Sequence, residues 1–212
     1  KPVVDLFESR CSGKNPSPPS NREMAEALKL VDASHIQLEG NGILLKRPGM
    51  GITLDGIAKG YIIDKASDKV SKLGIENYLI NAGGDIRTSG RRLDGKPWTI
   101  AVQDPSKGRH YPDKIKMTDG AIATSGNYEV YFDREKMFHH IVNPRNGSSP
   151  NASNSVSILA KTAMDADALS TSVFVMQPEK GIRFVNSLPG CECLLLVGKG
   201  NRKIRSTGWK SA

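Results

Sequence analysis

Residues 53–61, Thr-Leu-Asp-Gly-Ile-Ala-Lys-Gly-Tyr, join a strand-like stretch to a helix that we predict over residues 60–73. Gly56 and Gly60 permit a close backbone approach at this junction. Lys59 stands at the helix start, where its charge adds to the positive end of the helix dipole. A bound phosphate would offset that repulsion, and a turn with a solvated lysine is the alternative. The spacing supports neither the phosphate-binding loop nor the Rossmann fingerprint.

Helices and strands are predicted around this segment without a regular alternation. Ser20 and Glu23 have the spacing of a capping box, which predicts a helix over residues 21–30. Residues 36–38 and 43–45 flank a glycine-containing turn and predict a hairpin. Further strands are predicted at 78–81, 98–103, 121–124, 128–132, 156–160 and 194–197, and further helices at 164–176 and 179–188. Because strict β-α alternation is lacking, we expect an α+β chain with mixed sheets and packed helices.

Length and composition are typical of a globular protein. The 212 residues are enough for one large domain or two small ones, and 38% apolar with 25% charged residues excludes a disordered chain. The apolar run at 193–197 is far shorter than the roughly 20 residues of a membrane span. No secretory signal opens the sequence, and three cysteines make no disulfide framework or zinc site.

Positive charge is concentrated in two segments of a chain whose net charge is +8. Residues 86–116 carry eight Lys or Arg and three Asp, and residues 199–212 carry five Lys or Arg and no acid. These segments indicate either a surface for an anionic partner or a solvated loop and a solvated tail. Trp98 and Tyr111 are the aromatic residues of the first segment, which is little for base stacking, so we expect no nucleic-acid partner.

Two glycine- and histidine-containing segments are candidate binding elements. Residues 81–85, Asn-Ala-Gly-Gly-Asp, end a predicted strand, where the amides of Gly83 and Gly84 can meet a phosphate. Residues 138–147 contain the neighbours His139 and His140. Because successive side chains of a strand point to opposite faces, at most one of the two histidines faces a site.

Asp167 and Thr171 are four residues apart and therefore lie on one face of a predicted helix. Their carboxylate and hydroxyl oxygens suit a hard cation that keeps phosphate oxygens and waters as its other ligands. An acidic first turn that complements the helix dipole is the alternative.

Five motifs occur in order: Gly-Ile-Ala-Lys-Gly-Tyr at 56–61 followed by Asp64, Asn-Ala-Gly-Gly-Asp at 81–85, Ala-Thr-Ser-Gly at 123–126, His-Ile-x-Asn-Pro-Arg-x-Gly at 140–147 and Ala-Asp-Ala-Leu-Ser-Thr at 166–171. This series closely resembles the FAD:protein FMN transferase family, the ApbE-like flavin transferases, across essentially the whole chain. The resemblance implies an ApbE-like fold without the N-terminal third of the family's length, with residues 1–212 as one domain. It also implies binding of FAD and Mg²⁺ and transfer of FMN to a threonine or serine of a partner protein, with release of AMP.

The resemblance also implies roles for individual residues, partners and a location. The side chains of Asp167 and Thr171 and the carbonyl of Gly56 would bind Mg²⁺. His140 would be the catalytic base, with Asp167 or a metal-bound water as its rival. The implied FAD contacts are Thr53, Lys59, Gly83, Gly84, Asp85 and Ile141. The expected acceptors are redox-pump or electron-transfer subunits, and the expected location is the periplasmic side of the inner membrane, with a lipid anchor outside these residues.

Thr53 stands where the family often has an acid, and Asp55 stands where a glycine is usual. The substitution at Thr53 retains a hydrogen-bonding group but loses a charge.

Three alternative functions remain beside the transferase: an FAD pyrophosphatase that gives FMN and AMP, a non-catalytic FAD-binding module, and a basic nucleic-acid-binding module.

Overall fold

Five helices and ten strands are found in the computed structural model, within the described residues 1–12, 16–108, 110–128, 130–133 and 138–212. The chain divides into two units by the density of its internal contacts. The first unit consists of Lys1–Thr53 and Glu129–Pro150, and the second consists of Leu54–Tyr128 and Asn151–Ala212.

The first unit is built from two short helices and a hairpin. Its elements are α1 (Pro2–Cys11), α2 (Asn21–Leu28), a 3₁₀ turn at Ala33–His35, β1 (Ile36–Glu39) and β2 (Gly42–Leu45), and the two strands pair antiparallel. The predicted capping box is confirmed, because Ser20 Oγ accepts the Glu23 amide at 3.3 Å and the Glu23 carboxylate accepts the Ser20 amide at 2.8 Å. Helix α1 was not predicted. Its buried Phe7 stacks on Phe132 with 5.1 Å between ring centroids.

The second unit is a six-stranded sheet with three helices and an added hairpin. In chain order its elements are α3 (Ala58–Lys72), β3 (Tyr78–Ala82), β4 (Asp85–Ser89), β5 (Trp98–Val102), β6 (Asp113–Met117), β7 (Gly120–Gly126), β8 (Ser155–Ala160), α4 (Ala163–Phe174), α5 (Pro178–Asn186), β9 (Glu192–Val197) and β10 (Arg202–Arg205). The sheet order is β10-β9-β8-β7-β4-β3, with every neighbouring pair antiparallel, and β5 pairs with β6 separately.

The alternation of side chains along these strands separates an apolar face from a helix-covered face. Ile86 and Ile122 are register partners, and both are buried in a cluster that also contains Ile100, Val102, Ile115, Leu194, Leu196 and Trp209. Helix α4 packs against β7 and β8. The small residues Ala121 and Ala123 of β7, fully buried, are the odd-numbered neighbours of Ile122 and point the other way. The sheet therefore carries a helix on the face where Ser125 also lies.

Most predicted elements are confirmed, including the α+β class, the first hairpin and the helices of both units. The strand predicted at 128–132 is wrong, because Tyr131 makes only an isolated bridge with His139, and residue 129 lies outside the described residues. The stretch before Gly56, which was predicted to be strand-like, has no regular structure at 51–54 and leads into a turn at 55–57. No helix among the described residues is long and apolar enough to cross a membrane, and the three cysteines are free thiols.

Of the two interpretations of the basic segments, that of a solvated loop and a solvated tail does not describe them fully, because both contain strands. Residues 86–116 include most of β4 and all of β5, and residues 199–212 include β10. Trp209 in the second segment is 6% exposed and belongs to the apolar cluster. Strand β5 was predicted at 98–103, whereas β4 and β10 were missed, because charged and polar side chains outnumber the apolar ones in these short strands.

Candidate functional site

Lys59, from the first turn of α3, reaches the first residue of β4. Its Nζ lies 3.1 Å from Oδ2 of Asp85, whose side chain is 3% exposed while that of Lys59 is 47% exposed. The sequence indicated either a bound phosphate or a solvated lysine at this position, and within the chain Lys59 pairs with Asp85. The pair joins two of the motifs across 26 residues of sequence.

The glycine pair before Asp85 forms a tight hairpin turn between β3 and β4. Gly83 and Gly84 have φ values of +62° and +98°, the left-handed region in which glycine is the favoured residue. The Gly84 amide donates to Asn81 Oδ1 at 2.9 Å, so it is already used inside the hairpin. The segment therefore ends β3, as predicted, and continues directly into β4, which was not predicted.

The side chain of Asp167, a residue of α4, contacts the first turn of α3. It is 6% exposed, and its Oδ2 accepts the Gly60 amide at 2.9 Å. A Cβ at Gly60 would overlap the backbone of Ala163, so only glycine permits this contact between the helices. Asp64, whose role its sequence position does not indicate, accepts the amides of Ala163 and Met164, both at 2.9 Å. Its two oxygens thereby satisfy free amides at the start of α4 and fix the helix that carries Asp167.

Thr171 lies one helical turn after Asp167 and beside the Gly56 backbone. A Cβ at Gly56 would be 3.2 Å from Cγ2 and 3.4 Å from Oγ1 of Thr171, so the glycine provides room there. Gly56, Asp167 and Thr171, the predicted metal ligands, are thus arranged around the α3 start and one face of α4. They offer a backbone carbonyl, a carboxylate and a hydroxyl.

This oxygen set fits Mg²⁺, which binds oxygen ligands and takes few of them from protein. Among the described residues there is no group of three or more His, Cys, Asp or Glu that could hold a metal ion. A cation here would therefore depend on substrate oxygens or water for its other ligands.

The charged forms of the two carboxylates of the site, Asp85 and Asp167, are destabilised by their surroundings. Burial raises the pKa of Asp85, Lys59 opposes that rise, and the nearby charge of Asp167 adds to it. Burial also raises the pKa of Asp167, against the Gly60 amide and Lys59. One half-exposed lysine compensates two buried acids only in part, so additional positive charge would stabilise both.

A chain of hydroxyl groups links β7 to α4 behind Thr171. Ser125 Oγ is 3.0 Å from Thr171 Oγ1 and 2.7 Å from Ser170 Oγ, and Ser170 Oγ donates to the Asp167 carbonyl at 2.9 Å. Ser125 and Ser170 belong to two of the motifs, yet their residue types gave no reason to single them out. Only the packing of α4 against β7 brings these hydroxyl groups together, and the sequence motifs do not predict that packing.

The remaining predicted residues lie in the first unit. His139 is buried, its Nε2–H donates to the Pro150 carbonyl at 2.7 Å, and burial lowers its pKa. His140 is exposed, and its Nδ1–H donates to the Val130 carbonyl at 3.0 Å. The two neighbours therefore face opposite ways, as predicted. Ile141 is 6% exposed and Thr53 is exposed. It stays a prediction that Thr53, His140 and Ile141 share one site with the predicted residues of the second unit.

Comparison with known proteins gives a consistent result. The sequence profile of the ApbE family matches residues 1–195. The FAD:protein FMN transferase of Vibrio cholerae is 35% identical over 184 residues, which cover 85% of this chain and 55% of that protein. The Haemophilus influenzae protein of the same name is 33% identical over 189 residues, with the same two coverages. The chain thus spans about half the length of these relatives.

Solved structures agree in fold. The ApbE protein of Thermotoga maritima superposes with a TM-score of 0.86 at 33% identity, over 97% of this chain and 68% of that one. The flavin transferase ApbE of Vibrio cholerae superposes with a TM-score of 0.80 at 30% identity, over 97% of this chain and 67% of that one.

Proposed function

Because the chain belongs to the ApbE family, we propose that it transfers FMN from FAD to a threonine or serine hydroxyl of a partner protein and releases AMP. In this reaction the acceptor oxygen bonds to the FMN phosphorus, the bond from that phosphorus to the AMP oxygen breaks, and the acceptor proton leaves to a base. The observation that carries the proposal is the arrangement of Lys59, Asp85 and Asp167 at the meeting of α3, α4 and β4. Phosphoryl transfer asks mainly for positioning and charge neutralisation, which such a site supplies.

Asp167, Thr171 and the Gly56 carbonyl would hold Mg²⁺. When bound, the ion would neutralise the charge of the pyrophosphate. The raised pKa values of Asp85 and Asp167 support this assignment, because both carboxylates gain from a nearby cation. Lys59 would contribute a second positive charge on the solvent side, while Asp85 fixes the direction of its side chain.

His140 is the proposed base. A carbonyl oxygen only accepts hydrogen bonds, so the contact with Val130 places the proton of a neutral His140 on Nδ1 and leaves the lone pair on Nε2. The ring is exposed, which a group that meets an acceptor protein requires. Asp167 is the rival base, and its Oδ2 is already occupied by the Gly60 amide.

The acceptor class and the location are further parts of the proposal. We assign as acceptors redox-pump or electron-transfer subunits on the periplasmic side of the inner membrane, where a lipid anchor outside these residues would hold the enzyme. Protease treatment of intact spheroplasts that express the full-length gene tests this location. Degradation of the protein supports it, and full protection contradicts it.

The activity is tested by the intact mass of an acceptor domain that carries Asp-x-x-Thr-Ser-Ala-Thr, incubated with the full-length protein, FAD and Mg²⁺. We expect a gain of one FMN less water, lost in Asp167→Ala and retained in Ser172→Ala. Ser172 is the matched control, because it lies on the same helix and only donates to the Ala168 carbonyl. Cleavage of FAD to FMN and AMP without a mass gain would identify a pyrophosphatase. FAD binding with neither product would identify a binding module.

A further inference from the structure

Thr171 is one of three side-chain hydroxyls that form a continuous hydrogen-bonded chain. Ser125 Oγ stands between Ser170 Oγ at 2.7 Å and Thr171 Oγ1 at 3.0 Å. The chain ends at the Asp167 carbonyl, which accepts from Ser170 at 2.9 Å. All of these groups belong to β7 and α4.

The direction of every proton in this chain follows from its fixed end. A carbonyl oxygen has no proton, so Ser170 must donate to Asp167. A hydroxyl has a single proton, so Ser170 can only accept from Ser125, and Ser125 can then only accept from Thr171. The Thr171 proton is therefore held on the Ser125 side.

From this order we propose that Ser125 and Ser170 are positioning residues that make the Thr171 oxygen a pure acceptor toward the Gly56 side of α4. The inference rests on the proposed Mg²⁺ site. A hydroxyl binds a cation through its lone pairs, and a proton turned toward the ion would repel it. The hydroxyl chain ends at the backbone carbonyl of Asp167, and the side chain of the same residue is a proposed metal ligand. One helical turn of α4 therefore supplies the Asp167 carboxylate and also fixes the orientation of the Thr171 hydroxyl.

A comparison within α4 separates this role from ordinary helix hydrogen bonding. Ser172 also donates to a backbone carbonyl of its own helix, at 2.7 Å to Ala168, but its side chain is exposed and its hydroxyl is outside the chain formed by Ser125, Ser170 and Thr171. Removal of the Ser172 hydroxyl costs the same kind of local bond and leaves the proton order intact. Removal of the Ser170 hydroxyl frees Ser125 to donate in the opposite direction, toward Thr171.

Neutron diffraction from crystals of the deuterium-exchanged protein tests the proton order directly. We expect deuterium on Thr171 directed at Ser125, on Ser125 directed at Ser170, and on Ser170 directed at the Asp167 carbonyl. Deuterium on Ser125 directed at Thr171 would overturn the proposal. This readout requires neither metal nor activity.

Titration with Mn²⁺, followed by electron paramagnetic resonance of the free ion, tests the consequence. We expect Ser125→Ala and Ser170→Ala to weaken Mn²⁺ binding by about tenfold, the usual scale for loss of a partner that orients a metal ligand. Ser172→Ala should bind as the wild type does, and Ser125→Thr, which keeps the hydroxyl, should restore affinity. Thermal unfolding of each variant shows that the affinities compare folded proteins.

The outcomes separate this inference from the proposed function. Wild-type affinity in both Ser125→Ala and Ser170→Ala overturns the inference, even where FMN transfer is found. Equal weakening in Ser172→Ala also overturns it, since the effect would then belong to the helix as a whole. Weakened binding in the two variants from a wild type that transfers no FMN supports the inference and contradicts the proposed function. Failure of the wild type to bind Mn²⁺ overturns the inference together with the proposed metal site, while the mass of the acceptor decides the proposed function.

Discussion

Asp85 and Asp113 are both buried carboxylates in the second unit, 2% and 7% exposed, and each is the first residue of a strand. Their pKa values nevertheless move in opposite directions. Hydrogen bonds from Ser211, the Lys114 amide, Trp209 and Arg205 together outweigh burial and lower the pKa of Asp113. For Asp85, burial prevails over Lys59 and raises the pKa.

The difference lies in the donors that the fold provides. Asp113 Oδ2 accepts from Trp209 Nε1 at 3.1 Å, from Ser211 Oγ at 3.0 Å and from Arg205 at 3.2 Å, so it fastens the end of the chain to β6. Asp85 has a long contact of 3.4 Å from the Thr124 amide and the half-exposed Lys59, and a second acid stands nearby.

The comparison shows that burial alone does not identify a functional acid. A buried carboxylate with a full set of donors stabilises the fold, and one with too few donors gains from an external cation. The second condition is typical of a binding site, where stability is sacrificed for function.

Replacement of Asp113 should have the largest effect on stability. Asp113→Ala leaves the buried Trp209 N–H and the neighbouring donors without an acceptor, so we expect the free energy of unfolding to fall by about 3 kcal/mol. Asp94→Ala is the control, since Asp94 is an exposed acid beside Arg92, and its loss should change stability by less than about 0.5 kcal/mol. Urea denaturation followed by tryptophan fluorescence measures both. A small loss of stability in Asp113→Ala would contradict the structural role of Asp113 and with it the proposed difference between the two acids.

Asp85→Asn should have a smaller effect of opposite sign. The amide keeps an acceptor for Thr124 and removes a buried charge that Asp167 repels. We expect the free energy of unfolding at pH 7, in EDTA, to rise by about 1 kcal/mol, the usual gain when a functional polar group is neutralised. The proposed function requires FMN transfer to fall in the same variant, because Lys59 loses its partner. Destabilisation as large as that of Asp113→Ala would show that both acids are structural.

The pH dependence of stability should distinguish the same two acids. The folded pKa of Asp85 is raised, so its favourable contribution is present below its unfolded pKa of about 4 and is lost as pH rises through the folded value. The folded pKa of Asp113 is lowered, so its contribution is present above about pH 4 and is lost as pH falls through the folded value.

Urea denaturation between pH 2.5 and 7 in EDTA checks these signs, because each variant is compared with the wild type at the same pH. Relative to Asp85→Asn, the wild type should lose stability as pH rises above about 4. Relative to Asp113→Asn, it should lose stability as pH falls below about 4. Parallel curves for the wild type and either variant would refute the corresponding pKa direction.

Local signals explain which elements were predictable from the sequence. The capping box at Ser20 and the helix-ending Gly74, with φ of +80°, act within a few residues, and the predicted helices are confirmed to within one or two residues at most ends. Strands β4, β6 and β10 were missed, because Asp85–Ser89, Asp113–Met117 and Arg202–Arg205 each contain only one or two apolar residues among charged or polar ones. Their pairing partners, rather than their own composition, determine them.

The candidate site was predictable in its residue types and not in its connections. Asp167 and Thr171 follow from helical spacing. The pairing of Lys59 with Asp85 depends on the approach of α3 to β4, and the link from Ser125 to Thr171 spans 46 residues. Contacts of this kind arise from tertiary packing, which no local pattern encodes.

The smallest effect is expected at the basic surface formed by Arg91 and Arg92, two exposed residues of the basic segment 86–116. Arg91 donates to the Gly95 carbonyl and Arg92 pairs with Asp94, both at exposed positions. Arg91→Glu with Arg92→Glu should leave the free energy of unfolding within about 0.5 kcal/mol of the wild type. If the acceptor segment is acidic, the double variant should modify it about threefold more slowly at low salt, and the difference should vanish at high salt, because exposed charges act through screened, long-range attraction.

Arg22→Glu with Lys29→Glu provides the matched control for this charge reversal. It makes the same change in net charge in the first unit, on α2 and at its C-cap, where both positions are exposed. Slower modification in the Arg91 and Arg92 variant alone would locate acceptor docking on the basic surface. Equal slowing in both variants would show that net charge, and no particular surface, attracts the acceptor. Unchanged modification rates in both variants would show that surface charge does not attract the acceptor. The acceptor would then be recognised by the groups around Asp85 and Asp167, so that the difference between functional and structural residues would also hold for acceptor recognition.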